Sequence, residues 1–372
     1  MDWRGYAIRR ERLRKNWSQE GLCRGICAVS YLSKIEKGRA EPTEEILVQL
    51  MERLGLPTDP ELQARAVRLA EQGWEALLYQ GTEGLTFLKE IDLAPLYDTA
   101  TGLDLQLLSG FLKDERQPLD TRLEACMTVR QLALQRLLQQ RAQEACGLFP
   151  CGFTFLEAGT DCYIAGDYLH AMELLQMAYD RAAQEGAPRL MLLCRCYLGN
   201  ICSNRRDLAG MEQHYKVARR LANALHDQTL LSHIAYNTAA TDLEIGRYQQ
   251  AYDYFAALVQ PDMMDLHKLS IACEKTGRRE EALQALDRAA GMECRTPPTE
   301  LARMLCDLVR FRLEDDGYLE KEGYGQLLQR CFDRCRRELP AGYAAFHLPW
   351  MLEWLTATRQ YKKAFDLMCD FS

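Results

Sequence analysis

Apolar residues recur at helical spacing along almost the whole chain, and capping residues mark where each helix stops. Leu22, Ile26, Leu32 and Ile35 give one apolar face to two short segments. Ser18 is placed to cap the first, with Gln19 and Glu20 in its opening turn, and Gly25 stands where it should end. The second runs from about Ala28 to Glu36 and closes at Lys37-Gly38. Ahead of them, residues 3–15 form a helix with Tyr6, Ile8 and Leu13 turned inward, and Trp17 sits just before Ser18, the place for a hydrophobic staple. Beyond a Glu41-Pro42-Thr43 turn, Thr43 caps a helix bearing Ile46, Leu47, Leu50, Met51 and Leu54, and Gly55 ends it. Four or five short helices in the first 57 residues make a small domain. Between Pro57 and about Arg116 the pattern is helical but less regular (Leu62, Ala66, Leu69, Ala70, Trp74, then Leu85, Leu88, Ile91), which predicts linker helices over 58–117.

From 118 to 372 the pattern repeats. A Gly is followed by Ala five residues on, a large apolar residue four further and a small one three further. Gly166, Ala171, Leu175 and Ala178 fit, as do Gly277, Ala282, Leu286 and Ala289. Gly246, Ala251 and Phe255 fit with Leu258 in the last slot. Arg206, Met211, Tyr215 and Ala218 form a degenerate copy, and Arg359, Ala364 and Met368 another. Gly ends one helix, and the small residues of the next let an antiparallel partner approach closely. One such pair cannot bury its apolar face alone, so pairs stack.

Composition agrees with an all-α reading. The chain has 372 residues, more than one typical core holds, and is 48% hydrophobic and 27% charged, within the globular range. Leu, Ala, Gln, Glu and Arg dominate over Val, Ile and Thr. The net charge of −7 conceals an asymmetry: residues 1–40 carry ten Lys and Arg against four acidic residues, a basic head on an acidic body. A polyanion-binding end attached to a part that avoids nucleic acid fits that division. No apolar leader and no run of 18 apolar residues is present, so a cytoplasmic protein without a membrane span is expected, and its 15 cysteines should be reduced. Their irregular spacing lacks CxxC pairs, which argues for small buried packing residues and against a metal or cofactor.

Two short helices joined by a Gly-bearing turn are the helix-turn-helix arrangement, whose second helix enters the DNA major groove. Lys15, Arg24, Lys37 and Arg39 can reach phosphates, Ser30, Tyr31 and Lys34 can read base edges, and Val29 can touch a thymine methyl. The run SQEGL…VSYLSKIEKG resembles the phage-repressor-type (XRE/Cro) helix-turn-helix over residues 6–56. The resemblance implies that Ser18 and Gln19 contact phosphate, that Arg12 pairs with Glu36, and that Val29, Ser30 and Tyr31, with Lys34 beyond them, face the bases. The chain departs from that pattern in a segment between the helices shorter by one residue, in Ala28 where a capping Ser is usual, and in Glu11 at a normally apolar place, with Leu13 the candidate substitute.

The repeats resemble tetratricopeptide repeats, which implies a right-handed superhelix of helix pairs with a concave groove lined by the first helix of each pair. Helical spacing puts Tyr163, Asn200, Asn204, His233, Tyr236, Asn237, His267 and Glu274 near that groove, with Phe153, Thr160 and Ile271. Asn both donates and accepts, which suits an extended peptide backbone; Asn200 and Asn237 suit equally well as internal links between helices, and His233 and His267 as ordinary surface residues. Head and body together resemble the Rgg/PlcR-like peptide-pheromone (quorum-sensing) regulators of Gram-positive bacteria. That resemblance implies a homodimeric transcription regulator with a double-stranded DNA operator and a short linear peptide as its partners. The other readings are a regulator whose body binds a protein partner or only dimerises, and an enzyme modulator built on the same repeats. No Gly-rich phosphate loop, nucleophile motif or metal spacing supports catalysis.

Overall fold

The computed structural model describes residues 3–113, 116–294 and 296–371, and among these every regular element is helical. The head comprises α1 (Trp3–Arg14), α2 (Gln19–Cys23), α3 (Val29–Glu36) and α4 (Glu44–Leu54). Their core is one apolar cluster of Ala7, Ile8, Leu22, Leu32, Ile35, Leu47, Leu50, Met51 and Leu54. The caps fall where the sequence puts them. The Ser18 hydroxyl accepts from the Gly21 amide at 2.9 Å, the Thr43 hydroxyl accepts from Ile46, and Gly55 closes α4 in the left-handed conformation.

Two expectations change. Leu13 points outward, 54% exposed, and Glu11 takes the inner position at 8%, its carboxylate held by Arg14 at 2.6 and 2.8 Å. A carboxylate tolerates that place because the guanidinium beside it keeps its pKa below the ordinary value. Trp17 stays exposed, and what ties it down is its carbonyl, which accepts from Arg12. Gly5 has a role no pattern predicted: a Cβ there would lie 2.4 Å from the Ile35 carbonyl oxygen, so α1 lies backbone to backbone against the end of α3.

Next come α5 (Pro60–Gln80), 3-10 turns at Thr82–Glu90 and Ala94–Leu96, and α6 (Gly102–Gly110). α7 (Val129–Leu138) and α8 (Ala142–Leu148) lead into the repeats. These are the pairs α9 (Gly152–Ala165) with α10 (Tyr168–Glu185), α11 (Pro188–Asn204) with α12 (Leu208–Ala224), and α13 (Gln228–Glu244) with α14 (Tyr248–Ala256). Then follow α15 (Met263–Lys275) and α16 (Arg279–Ala290), α17 (Thr299–Glu314), α18 (Glu322–Glu338), α19 (Ala341–Ala357) and α20 (Tyr361–Asp370). The chain divides into two compact units, Met1–Asp161 with Glu173–Cys194, and Cys162–Met172 with Arg195–Ser372.

The repeat slots carry one geometry. Gly166, Gly246 and Gly277 are left-handed, and so are Arg206 and Arg359, which stand where Gly is missing. The degenerate copies therefore keep the turn, although a non-Gly residue there costs roughly 1–2 kcal/mol. Ala171, Ala178, Ala218, Ala251, Ala282 and Ala289 are fully buried, as are Leu175, Tyr215 and Phe255 to within 1%. At Gly199 a Cβ would lie 2.3 Å from the Tyr215 ring, so the large residue of α12 seats directly on the α11 backbone. Cys162, Cys202 and Cys273 are buried among the packed helices. No helix among the described residues is long and apolar enough to cross a membrane.

Candidate functional site

The head is held by one buried ion pair. The Arg12 guanidinium donates to both Glu36 carboxylate oxygens, Nε at 2.6 Å and Nη2 at 2.8 Å, with side-chain exposures of 9% and 2%. Arg12 Nη1 donates to the Trp17 carbonyl at 2.8 Å, and Gln19 Nε2 donates to Glu36 at 2.8 Å. Four groups from α1, the α1–α2 turn, α2 and α3 meet on two planar charges, a bidentate geometry that fixes angle as well as distance. It orients α3 against α2.

With α3 so fixed, its outer face is presented to solvent. Val29 is 43% exposed, and Ser30, Lys34, Lys37 and Arg39 are exposed. Tyr31 is half-buried and its hydroxyl donates to the Glu41 carbonyl at 3.1 Å, which holds the ring at the edge of that face. Ser18 is exposed but its hydroxyl caps α2, and Gln19 has its amide nitrogen committed to Glu36, leaving its oxygen free. Ala28 begins α3 with extended backbone and no side-chain cap. The turn between α2 and α3, left-handed at Gly25, is held from below: Arg53 Nη1 donates to the carbonyls of Leu22 at 2.9 Å and Arg24 at 2.6 Å. The pattern reading missed Arg53, because a basic residue in the last turn of a helix reads as ordinary dipole complementation.

A helix-turn-helix family model matches residues 8–60, the span of these four helices from the middle of α1. Residues 8–60 are a helix-turn-helix. Its model covers this segment and not the body. No curated protein matches the chain in sequence. Among solved structures, Bacillus thuringiensis PlcR in complex with the peptide PapR7 and DNA matches at 16% identity, over 63% of this chain and 99% of that one, with a TM-score of 0.25. At that score the likeness supports no argument about this chain.

Later in the chain, the candidate groove residues of the body separate into two sets. Asn200, Asn204 and Tyr163 lie together. Asn204 Nδ2 donates to the Tyr168 hydroxyl at 2.9 Å, and both asparagines face the Tyr163 hydroxyl, whose pKa burial pushes up to about 12. Asn200 Oδ1 accepts from the Tyr215 hydroxyl at 2.6 Å and from Asn237 Nδ2 at 3.0 Å, so one oxygen links α11, α12 and α13. Asn237 and Tyr236 are half-buried, and the Tyr236 ring meets Phe255 edge-on at 5.7 Å. The remaining three lie apart. His233 is exposed near the start of α13. The Glu274 carboxylate accepts from Arg312 of α17 at 2.8 Å. His267 is fully buried, with the Leu305 backbone facing its ring. Helical spacing put His267 on the groove side; stacking of α15 on its neighbours closed that side.

Proposed function

We propose that this protein is a transcription regulator that binds double-stranded DNA through α3 and senses a short linear peptide with its helical repeat body. In this reading residues 1–57 are the DNA-binding head, 58–117 the linker and 118–372 the regulatory body of a cytoplasmic homodimer. The observation that carries the DNA half is the exposed face of Val29, Ser30 and Lys34, rimmed by Lys37 and Arg39, on a helix locked by Arg12 and Glu36. Ser30 and Lys34 are four residues apart, so they stand on one face and meet neighbouring base edges. The phosphate contacts fall to Lys15, Arg24, Lys37 and Arg39, with Ser18 and the free oxygen side of Gln19 beside them. A two-fold dimer places two such helices about 34 Å apart on a pseudo-palindromic operator.

The peptide half rests on Asn200, Asn204, Asn237 and Tyr163, amide and phenol groups clustered on the first helices of successive repeat pairs. Peptide binding changes DNA affinity only by favouring one arrangement of the heads. The test is selection of operators from a random duplex library by the full chain, followed by titration with and without Lys34→Ala. Loss of preference at one base step, with non-specific binding kept, supports the reading. Failure to bind any duplex at low salt sinks it. A second reading, a body that only dimerises, is favoured by the Asn200–Asn237–Tyr215 link, which already satisfies those groups internally. If operator affinity responds to no peptide and the N200A variant dimerises and binds DNA unchanged, that second reading replaces the first.

A further inference from the structure

Where α15 meets α19, three basic side chains are buried without a close ion pair among the described residues. His267 is 0% exposed, His347 2% and Lys268 7%. The two imidazole rings lie 6.1 Å apart. His347 Nδ1 lies 2.8 Å from the Tyr343 carbonyl and its Nε2 has no hydrogen-bond partner among the described residues, while the Leu305 backbone faces the His267 ring. The Lys268 Nζ has no hydrogen bond or ion pair among the described residues; it rests over the Phe346 ring, 2.8 Å from its centre. Glu244 of α13 faces Lys268 and Arg206 but forms an ion pair with neither. Burial accordingly lowers the Lys268 pKa to about 7 and that of His347 to about 3. Unpaired buried polar groups cost about 1–3 kcal/mol each, and an anion of the right reach would satisfy the Lys268 ammonium.

An entrance stands beside them. A cavity of about 170 Å³ opens between α13, α15 and α19, lined by the apolar Leu243, Ile271, Phe346 and Trp350 and by the charged Arg206, Lys275, Glu244 and Glu353. Phe346 belongs to both places: it lines the cavity and covers Lys268, and its ring is 5.1 Å from that of His347. This one side chain stands between the cavity and Lys268. The volume holds one side chain, and part of the lining is apolar and aromatic.

We propose that the α15–α19 junction is a carboxylate site that takes the C-terminal residue of the peptide ligand, its apolar side chain in the cavity and its carboxylate on Lys268, with His267 and His347 beside it. This rests on the peptide-sensing reading and specifies which end of the peptide is read.

The chain has six histidines, and only His267 and His347 lie at this junction, so ring-labelled histidine gives a local NMR readout on the full-length protein. The probes are a random pentapeptide mixture with free C-termini, the same mixture amidated, and N-acetyl-leucine. The free-acid mixture should move the His267 and His347 signals at least about tenfold more strongly than the amidated one, the gain expected of a charge-assisted contact. K268Q should abolish the shift and K268R retain it, with thermal unfolding of each variant showing that the fold is kept. Equal response to acid and amide, or no response to either, overturns the proposal. N-acetyl-leucine acting at the same concentration as the pentapeptides overturns the peptide part and makes this a site for small carboxylic acids. Operator affinity measured in the same samples separates the two claims: junction signals that move while DNA affinity does not leave the site standing and remove the sensing role.

Discussion

Arg12 and Glu36 show how one residue pair sets the head. Both are almost fully buried, and each is satisfied by a planar partner plus one further hydrogen bond. Arg12→Ala leaves Glu36 charged and unpaired inside the domain, so it should cost about 3–5 kcal/mol, far above the usual effect of a surface ion pair. Urea unfolding followed in the head should lose most of its midpoint, and operator binding should fail with it; a loss within 1 kcal/mol, the exposed-pair range, would show that the pair does not lock α3. Ala28 offers the opposite case. It starts α3 with the extended backbone of an N-cap but no side-chain acceptor. Ala28→Ser should add about 0.5–2 kcal/mol and raise the melting temperature of the head, which calorimetry would register.

At the scale of elements, the repeats are joined by a polar link as well as by apolar packing. Asn200 of α11 receives Tyr215 from α12 and Asn237 from α13 on one oxygen. Asn200→Ala strands two groups and Asn237→Ala strands none on Asn200, which keeps Tyr215. The first should therefore destabilise the body by about 1–3 kcal/mol and the second by about 1 kcal/mol. The double variant should lose less than the sum, because the two share one bond. Strict additivity in chemical denaturation would show that the link carries no energy. The same scale explains the repeat itself. Arg206 and Arg359 hold the left-handed turn that Gly166, Gly246 and Gly277 hold, because buried Ala and aromatic residues on both sides impose it. A search on Gly alone passes over these copies; a search on the small–large–small slots finds them.

For the whole molecule, the consequential feature is that bases are buried neutral in the body. His347 has its pKa lowered to about 3 by burial, and that of His267 lies well below its ordinary value for the same reason. The unfolded chain binds protons at both positions below about pH 6.5 while the folded chain does not. Their contribution to stability is therefore full above that pH and falls as the solution is acidified, by about 2 kcal/mol at pH 5 for His347 alone. Urea midpoints should drop between pH 7.5 and pH 5, and His347→Phe should flatten the dependence. A midpoint independent of pH in both proteins would place these rings in contact with water.

The sequence by itself determined the helices, their caps and the family of the head, because each follows from neighbours within one or two turns. Ser18, Thr43 and Gly55 act on amides and carbonyls a few residues away. The repeat slots were legible for the same reason: the Gly-to-Ala spacing states which face of a helix is small. Tertiary structure alone decided which polar residues of the body face one another. Helical periodicity put His267 and Glu274 in the groove beside Asn200, yet α17 and α19 arrive from 30 to 80 residues further along the chain and enclose them. The same holds for Glu11 and Leu13, whose expected places are exchanged by Arg14. A period records one helix's faces; burial depends on what packs against them, and that is a property of the folded chain.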